Sequence, residues 1–304
     1  MSYGRRISNE VTDDFESERA EIEARLDEIC EAYLPGLPPA VSEAISYGLK
    51  SPGKRLRPLL VLLAYRAAGG KADGSLLACA LEVVHSYSLV HDDLPCMDDD
   101  DVRRGRPTVH KVYGSKVAMV GGVAMIPMAV RVARDASGKL GLPSATRARI
   151  VATLLEAAGA AGMIGGQQRD LAGEGLSPSL DQREAIHSAK TGALIVASVR
   201  IGALAALADS ARTAALERFG RDVGLAFQIM DDVLDVTSTT SELGKPAGRD
   251  AALGKSSYPA LLGVNGARQR AQALIDDGLD SLRKHGLLTR ELSQVANFMV
   301  TRTS

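Results

Sequence analysis

The stretch ADGSLLACALEVVHSYSLVHDD, residues 72–93, is apolar over most of its length and ends on two aspartates. Such a run predicts a helix that is buried on most sides. The chain continues with LPCMDDDDVRRGRPTVH, residues 94–110, so that six aspartates fall between positions 92 and 101. Like charges at this density repel one another unless something neutralises them. The stretch therefore predicts either a metal site at a helix end or a solvated acidic loop.

The rest of the chain is also predicted to be helical. Aromatic residues make up 4% of the 304 positions, tryptophan is absent, and alternating β-branched runs are scarce. No internal repeat or low-complexity linker marks a boundary, so we expect one all-α domain over residues 1–304, a bundle of roughly ten or more helices. Besides residues 72–93, helices are expected at 13–33, 57–70, 145–170, 181–208, 210–237 and 257–284.

The overall composition argues against several classes of protein. The formal net charge is −1, so no global charge favours nucleic acid or an acidic membrane surface. Three widely separated cysteines form neither a metal-ligand spacing nor a disulfide framework, which indicates a reducing compartment. The longest uncharged run, residues 117–130, is shorter than a transmembrane helix. The sequence predicts a soluble, cytoplasmic protein with no membrane span and no nucleic-acid partner.

A second group of aspartates lies in FQIMDDVLDV, residues 227–236. On a helix, Asp231 and Asp235 project from one face, one turn apart, and Asp232 follows directly after Asp231. The other residues of the stretch are apolar except Gln228. Burying carboxylates is costly unless a cation or a proton neutralises them. This helix therefore predicts a second cation site, the alternative being a helix with one solvated face.

The first group of aspartates differs because Pro95 disfavours helix just before it. Asp98 is six positions past Asp92 and on an unbroken helix would point about 120° away from it, but a loosened turn would bring it back. We expect Asp92, Asp93 and Asp98 to act together, and residues 99–101 to be solvated or paired with arginines. Oxygen ligands without histidine or cysteine suit Mg²⁺, which usually also binds substrate phosphates.

Basic residues flank both acidic groups, as a phosphorylated substrate would require. The segment SPGKRLRP, residues 51–58, places Lys54 and Arg57 at a predicted helix start, which is a good anion site. Arg103 and Arg104 follow the first acidic group. After the second group come Lys245, Arg249 and Lys255. No P-loop motif occurs in the sequence. Solvated basic side chains are the alternative to a phosphate site.

Six motifs occur in a fixed order along the chain: GKRLRP, HSYSLVHDDLPCMDDDDVRRGRPTVHK, GGQQRDL, AKTGAL, FGRDVGLAFQIMDDVLDVT and GKPAGRD. Together, over about residues 50–262, they resemble the trans-isoprenyl diphosphate synthases, in particular the bacterial short-chain farnesyl and geranylgeranyl diphosphate synthases. The resemblance implies an all-α bundle around a deep central cavity, usually a homodimer. It also implies that isopentenyl diphosphate is condensed with an allylic diphosphate, dimethylallyl or geranyl, without a protein nucleophile.

The resemblance also implies which residues form the site. Three Mg²⁺ ions would neutralise the diphosphate leaving group. The metal ligands would be Asp92, Asp93, Asp98, Asp231, Asp232 and Asp235. Isopentenyl diphosphate would be bound by Lys54, Arg57, His85 and Arg104. The allylic diphosphate would be contacted by Arg103, Lys190 and Lys245, with Lys255 as a further substrate-binding residue. The developing carbocation would be faced by Thr191 and Gln228.

The length of the product is predicted from the residues below Asp92. Tyr87 and Ser88 precede it by one to one and a half helical turns, where a bulky side chain would close the cavity. In the family, an aromatic residue five positions before the motif resembles the farnesyl pattern, so Tyr87 favours a C15 product over a C20 geranylgeranyl product. Residues 121–125 read GGVAM where relatives usually read Gly-Asp-Ala-Leu. This departure lies in a helix that helps to line the cavity, and Tyr87 as an ordinary core residue is the alternative.

Two other functions share parts of the pattern. A class I terpene cyclase would usually carry an Asn/Ser/Glu metal triad instead of the second aspartate motif, and it would not need Lys54 and Arg57 for a second diphosphate. A non-catalytic subunit that redirects another synthase would be expected to have lost one aspartate motif. Both motifs are intact here. The sequence therefore favours a farnesyl diphosphate synthase.

Overall fold

The computed structural model describes residues 15–173, 179–237 and 257–302, and within them the all-α prediction is confirmed. The helices are α1 (Glu16–Tyr33), α2 (Pro39–Leu49), α3 (Leu56–Ala67), α4 (Ser75–Asp92), α5 (Val109–Tyr113), α6 (Ser115–Lys139), α7 (Ser144–Ala158), α8 (Met163–Ala172), α9 (Leu180–His187), α10 (Ala193–Ala205), α11 (Ser210–Thr237), α12 (Tyr258–Lys284) and α13 (Arg290–Thr301). A π-helical turn, Ser188–Gly192, joins α9 to α10. Between α4 and α5, strands β1 (Val102–Arg103) and β2 (Arg106–Pro107) form a short antiparallel ribbon.

The helices pack around one main hydrophobic core. The apolar sequence of α4 is buried along almost the whole helix, between α3 on one side and α6 on the other. Leu60, Leu81, Ile201 and Phe219, from four different helices, are all fully buried in this core. This packing is consistent with a single domain. That one domain extends over all of residues 1–304 stays a prediction.

The predicted helix at 145–170 is wrong as one continuous element. The chain breaks at residues 159–162 and continues as α8. At Gly162 a Cβ would lie 2.2 Å from the carbonyl oxygen of Ala157, so the backbone can pass this closely only because the residue is glycine. The break turns α8 toward the π-helical turn, and this turn carries two of the predicted site residues, Lys190 and Thr191.

Three helical segments are long and apolar enough to cross a membrane by length and composition: Ser115–Lys139, Ser144–Ala172 and Asp181–Ala205. The absence of a membrane span, which we inferred from the uncharged run alone, is therefore not confirmed. The composition of helix α6 does not by itself distinguish a helix of the core from a membrane span. Its Met125 is buried in the core, whereas Val120 and Val123 on another face are more than half exposed. A helix that is apolar on two faces needs a second partner for the outer one.

Candidate active site

The two aspartate groups meet in one cavity of about 1120 Å³. Asp92 and Asp98 line it from the end of α4 and the turn that follows, and the second motif lines it from the C-terminal part of α11. The lining residues of the second motif are Asp231, Asp232 and Asp235. More than a hundred positions of sequence separate the groups, so the fold creates a site that neither group has by itself.

The chain turns back on itself at the end of α4. The backbone N–H of Asp98 donates to the carbonyl oxygen of Asp92 at 2.9 Å, and that of Asp99 donates to Leu94 at 3.2 Å. Asp99 has a left-handed φ of 50°, which tightens the turn. The return of Asp98 toward Asp92, expected from Pro95, is thus seen in the backbone.

Asp93 is arranged differently from Asp92. Its carboxylate is buried, accepts a 2.6 Å hydrogen bond from Arg103 Nε, and is not among the described residues that line the cavity. Arg103 does line the cavity, and its Nη2 also lies 3.4 Å from Asp100. Asp93 therefore fixes the guanidinium of Arg103, and its role as a metal ligand stays a prediction.

The buried position of Asp92 changes its acidity. Burial, followed by the repulsion of Asp98 and Asp93, raises the pKa of Asp92 to about 6, although Lys190 and Arg103 oppose the shift. The carboxylate makes no ion pair with any residue that the structure describes. Negative charge is thus concentrated at this end of the cavity without full compensation, which suits a divalent cation.

The second motif is supported by the protein's own groups. Arg302 Nη2 donates to Asp231 Oδ1 at 2.6 Å and to the carbonyl oxygen of Phe227 at 2.9 Å, and its guanidinium lies over the Phe227 ring. The backbone N–H of Tyr258 donates to Asp232 Oδ2 at 3.0 Å. The sequence reasoning missed Arg302, because it lies 71 positions from Asp231 and belongs to no motif.

The predicted isopentenyl diphosphate residues lie together on one side of the cavity. Lys54, Arg57, His85 and Arg104 all line it. The Arg57 Nε and His85 Nδ1 atoms are buried and lack hydrogen-bond partners among the described residues. Burial and the Arg57 charge lower the pKa of His85 well below its usual value, so the imidazole is neutral at neutral pH. Burial and Arg104 also lower the pKa of Arg57, to about 10. Unpartnered donors of this kind suit a ligand with several phosphate oxygens.

Two local contacts set the shape of the side of the cavity formed by Lys54, Arg57, His85 and Arg104. Arg104 has a left-handed φ of 54°, and its Nη1 donates to the carbonyl oxygen of Pro52 at 2.8 Å. A Cβ on Gly53 would lie 2.4 Å from the same nitrogen. The neighbouring Arg55 is fully buried and donates to Glu82 Oε1 at 2.7 Å, so it is structural. Arg55 was not among the residues predicted to bind substrate.

The π-helical turn supplies the cation opposite the first motif. Lys190 Nζ donates to Asp170 Oδ2 at 2.7 Å. Burial alone would lower the pKa of Lys190, but the Asp170 carboxylate outweighs it and the pKa is raised. A Cβ on Gly166 would lie 2.3 Å from the Lys190 backbone nitrogen, so this glycine permits α8 to pack against the turn. Thr191 and the buried Gln228 also line the cavity. Asp170 was not nominated, although the GGQQRDL motif contains it.

Some predictions fall elsewhere. Lys245 and Lys255, and with them Arg249, lie outside the described residues. Asp100 lies near Arg103, as expected, whereas Asp101 is ion-paired with Lys111 at 2.8 Å. Asp99, Asp101 and His110 bring three possible metal-ligating atoms within 4.8 Å of one another, on the far side of the turn. Exposed acidic groups are common without an ion, and His110 Nδ1 already lies 3.0 Å from Thr108 Oγ1.

Comparison with known proteins agrees with this geometry. The chain matches the polyprenyl synthetase family model over residues 38–286. It is similar to a farnesyl diphosphate synthase from Escherichia coli, with 44% identity over 89% of this chain and 92% of that protein. A chloroplastic geranylgeranyl pyrophosphate synthase from Arabidopsis thaliana is 41% identical over 82% of this chain and 70% of its own. The crystal structure of an FPP/GFPP synthase from Zymomonas mobilis matches with a TM-score of 0.83 and 32% identity, covering 96% of this chain and 99% of that one.

Proposed function

The chain belongs to the polyprenyl synthetase family and is a trans-prenyltransferase, and we propose that it condenses isopentenyl diphosphate with dimethylallyl or geranyl diphosphate to give farnesyl diphosphate. One observation carries the proposal. Two carboxylate groups face a single cavity that also holds two separate sets of basic residues, one around Arg57 and one around Lys190. Two diphosphates need two such sets, whereas a cyclase acting on one substrate does not.

We propose Mg²⁺ as the metal, with three ions when substrate is bound. Asp92 and Asp98 would bind it on one side, and the three aspartates of the second motif on the other. The fit rests on the oxygen-only donor set and on the place of Asp92, whose pKa is raised mainly by burial and further by the neighbouring carboxylates of Asp98 and Asp93. When bound, the metal would supply positive charge that favours departure of the allylic diphosphate.

The protein's own residues would support each part of the reaction. Arg103 and Lys190 would contact the allylic diphosphate, and Lys54, Arg57, His85 and Arg104 would orient isopentenyl diphosphate. The neutral imidazole of His85 can donate to a phosphate oxygen without adding charge. Thr191 and Gln228, which line the cavity, would present oxygen atoms to the carbocation that forms between the two substrates. Because the double bond of isopentenyl diphosphate is itself the nucleophile, no serine, cysteine or histidine triad is required.

The C15 product is supported by the position of Tyr87. Its ring is buried and lines the cavity, and its position five residues before Asp92 on α4 is where it would limit the growing chain. Ser88 lines the same region with a small side chain. A C20 product is the alternative, because geranylgeranyl synthases also resemble this chain.

We further propose a homodimer formed through the outer face of α6. Met119, Val120 and Val123 are 48%, 54% and 55% exposed, and they form an apolar surface that a second copy would cover. The same pairing would account for the apolar composition of α6 without a membrane span. The segment Asp181–Ala205 is also apolar, but its Lys190 faces the polar cavity, which argues against a membrane span. The free cysteines are consistent with the reducing cytoplasm. Light scattering should show a dimer that Val120→Glu dissociates, and a monomeric wild-type protein would contradict the proposal.

The deciding experiment is to incubate the protein with Mg²⁺, isopentenyl diphosphate and each allylic primer (C5, C10 or C15), and to size the dephosphorylated products. A dominant C15 alcohol is expected from the C5 and C10 primers, with little extension of the C15 primer. A dominant C20 alcohol would retain the enzyme class and reject the C15 assignment. No elongation by folded protein would favour a non-catalytic subunit.

A further inference from the structure

The orientation of the Tyr87 ring depends on its neighbours. Tyr87 precedes Asp92 by five positions, so its Cα lies about 7.5 Å further back along α4. Its side chain is 6% exposed, and its hydroxyl makes no hydrogen bond with the residues that the structure describes. Packing alone therefore decides whether the ring lies across the cavity or turns aside.

His91 packs against this ring from one turn further along α4. The two ring centroids are 4.9 Å apart and the planes are inclined by 73°, the edge-to-face arrangement that aromatic pairs favour. On its other side, His91 Nε2 lies 3.1 Å from the carbonyl oxygen of Met119 in α6, so this nitrogen carries the proton and donates. His91 thus connects the residue that closes the cavity to the adjacent helix.

Gly122 provides the space that the imidazole occupies. A Cβ at this position would lie 2.2 Å from His91 Nε2, a distance that requires the imidazole to move. At Gly121 a Cβ would lie 3.5 Å from Ile45 Cγ1 and 3.9 Å from Ala44 Cβ, which are ordinary van der Waals contacts. The two adjacent glycines of GGVAM therefore differ, since only Gly122 is needed by His91.

We propose that His91 is a positioning residue for product length, which fixes the Tyr87 ring across the cavity and which depends on Gly122 for its place. The inference rests on the proposed synthase function, because it concerns where chain growth stops. Removing or displacing the imidazole frees the ring, deepens the cavity and permits a further five-carbon addition. No contact between His91 and either diphosphate is required.

Five variants test the proposal: His91→Ala, Gly122→Ala, Gly121→Ala as the matched control, Tyr87→Ala, and the double variant His91→Ala/Tyr87→Ala. The ratio of C20 to C15 alcohol is expected to rise on the order of tenfold for His91→Ala and Gly122→Ala, and to stay unchanged for Gly121→Ala. The double variant is expected to give the product pattern of Tyr87→Ala alone, because His91 acts through that ring. His91→Phe, which retains a ring but cannot donate to Met119, should give an intermediate ratio and replaces His91→Ala if that variant does not fold.

An unchanged C20-to-C15 ratio in folded His91→Ala and Gly122→Ala protein would overturn the inference. A fall in activity or in Mg²⁺ affinity at constant ratio would also overturn it, since His91 would then support Asp92 instead. Failure of the proposed function is distinguishable, because it shows as no elongation by the wild-type enzyme.

Discussion

The two aspartate motifs face the same cavity but are neutralised in different ways. Asp92 ends a helix, its pKa is raised to about 6, and its carboxylate has no ion-pair partner among the described residues. Asp231 lies within a helix and is paired at 2.6 Å with Arg302. Asp92 would therefore depend on an external cation, whereas Asp231 is neutralised by the protein. Removing the carboxylate should consequently stabilise the metal-free protein at Asp92 and destabilise it at Asp231.

The largest expected effect is on catalysis at the first motif. Asp92→Asn removes a carboxylate that would bind metal where leaving-group charge develops, and we expect kcat to fall by about 10²–10³-fold. Asp99→Asn removes the same charge from an exposed residue outside the cavity lining, and it should leave kcat within about twofold of wild type. Steady-state kinetics at saturating Mg²⁺ measures both. Equal losses in the two variants would mean that net charge matters here rather than the position of Asp92.

The second prediction concerns pH and the stability of the metal-free protein. Because the folded-state pKa of Asp92 is raised above the ordinary value of 3.8, ionisation disfavours the folded state. The penalty is absent below about pH 4, grows as the pH rises toward 6 and is constant above that, with an upper limit of about 3 kcal/mol. Asp92→Asn should therefore be more stable than wild type at pH 8 and equal to it near pH 4. Urea unfolding in EDTA at several pH values measures the difference, and a pH-independent gap would contradict the assignment.

The third prediction tests the second motif. Arg302→Met retains an apolar side chain over Phe227 but removes the partner of Asp231, and we expect the free energy of unfolding to fall by about 1–3 kcal/mol. Arg290→Met, at the exposed start of α13, the helix that Arg302 directly follows, is the matched control and should change stability by less than about 0.5 kcal/mol. In the Asp231→Asn background the effect of Arg302→Met should shrink, because the two residues form one pair. Additive losses would show that Arg302 acts elsewhere.

Much of this comparison could be predicted from local patterns. Apolar periodicity gave α4 and α11, and Pro95 next to Asp98 indicated a turn back toward Asp92. The residues that pair with the charged groups of each site region could not be predicted, since these pairings are tertiary contacts between distant residues. Arg302 reaches Asp231 across 71 positions, and Lys190 reaches Asp170 only because α8 bends away from α7 at Gly162. A sequence motif thus identifies the charged groups, whereas the packing of the helices decides which of them are neutralised within the protein.

The smallest predicted effect concerns Lys190 and distinguishes the binding of the allylic diphosphate from that of isopentenyl diphosphate. Lys190 is the strongest influence that lowers the pKa of Asp92, so Lys190→Met should raise that pKa further and weaken the site for the allylic diphosphate. We expect the allylic KM to rise on the order of tenfold while the KM for isopentenyl diphosphate stays unchanged, since that substrate would be bound by the other basic set, which contains Arg57 and His85. Lys190→Arg keeps the charge beside Asp170 and should restore most of the affinity. If both KM values rise together, Lys190 maintains the shape of the whole cavity, and the division into two basic sets is wrong.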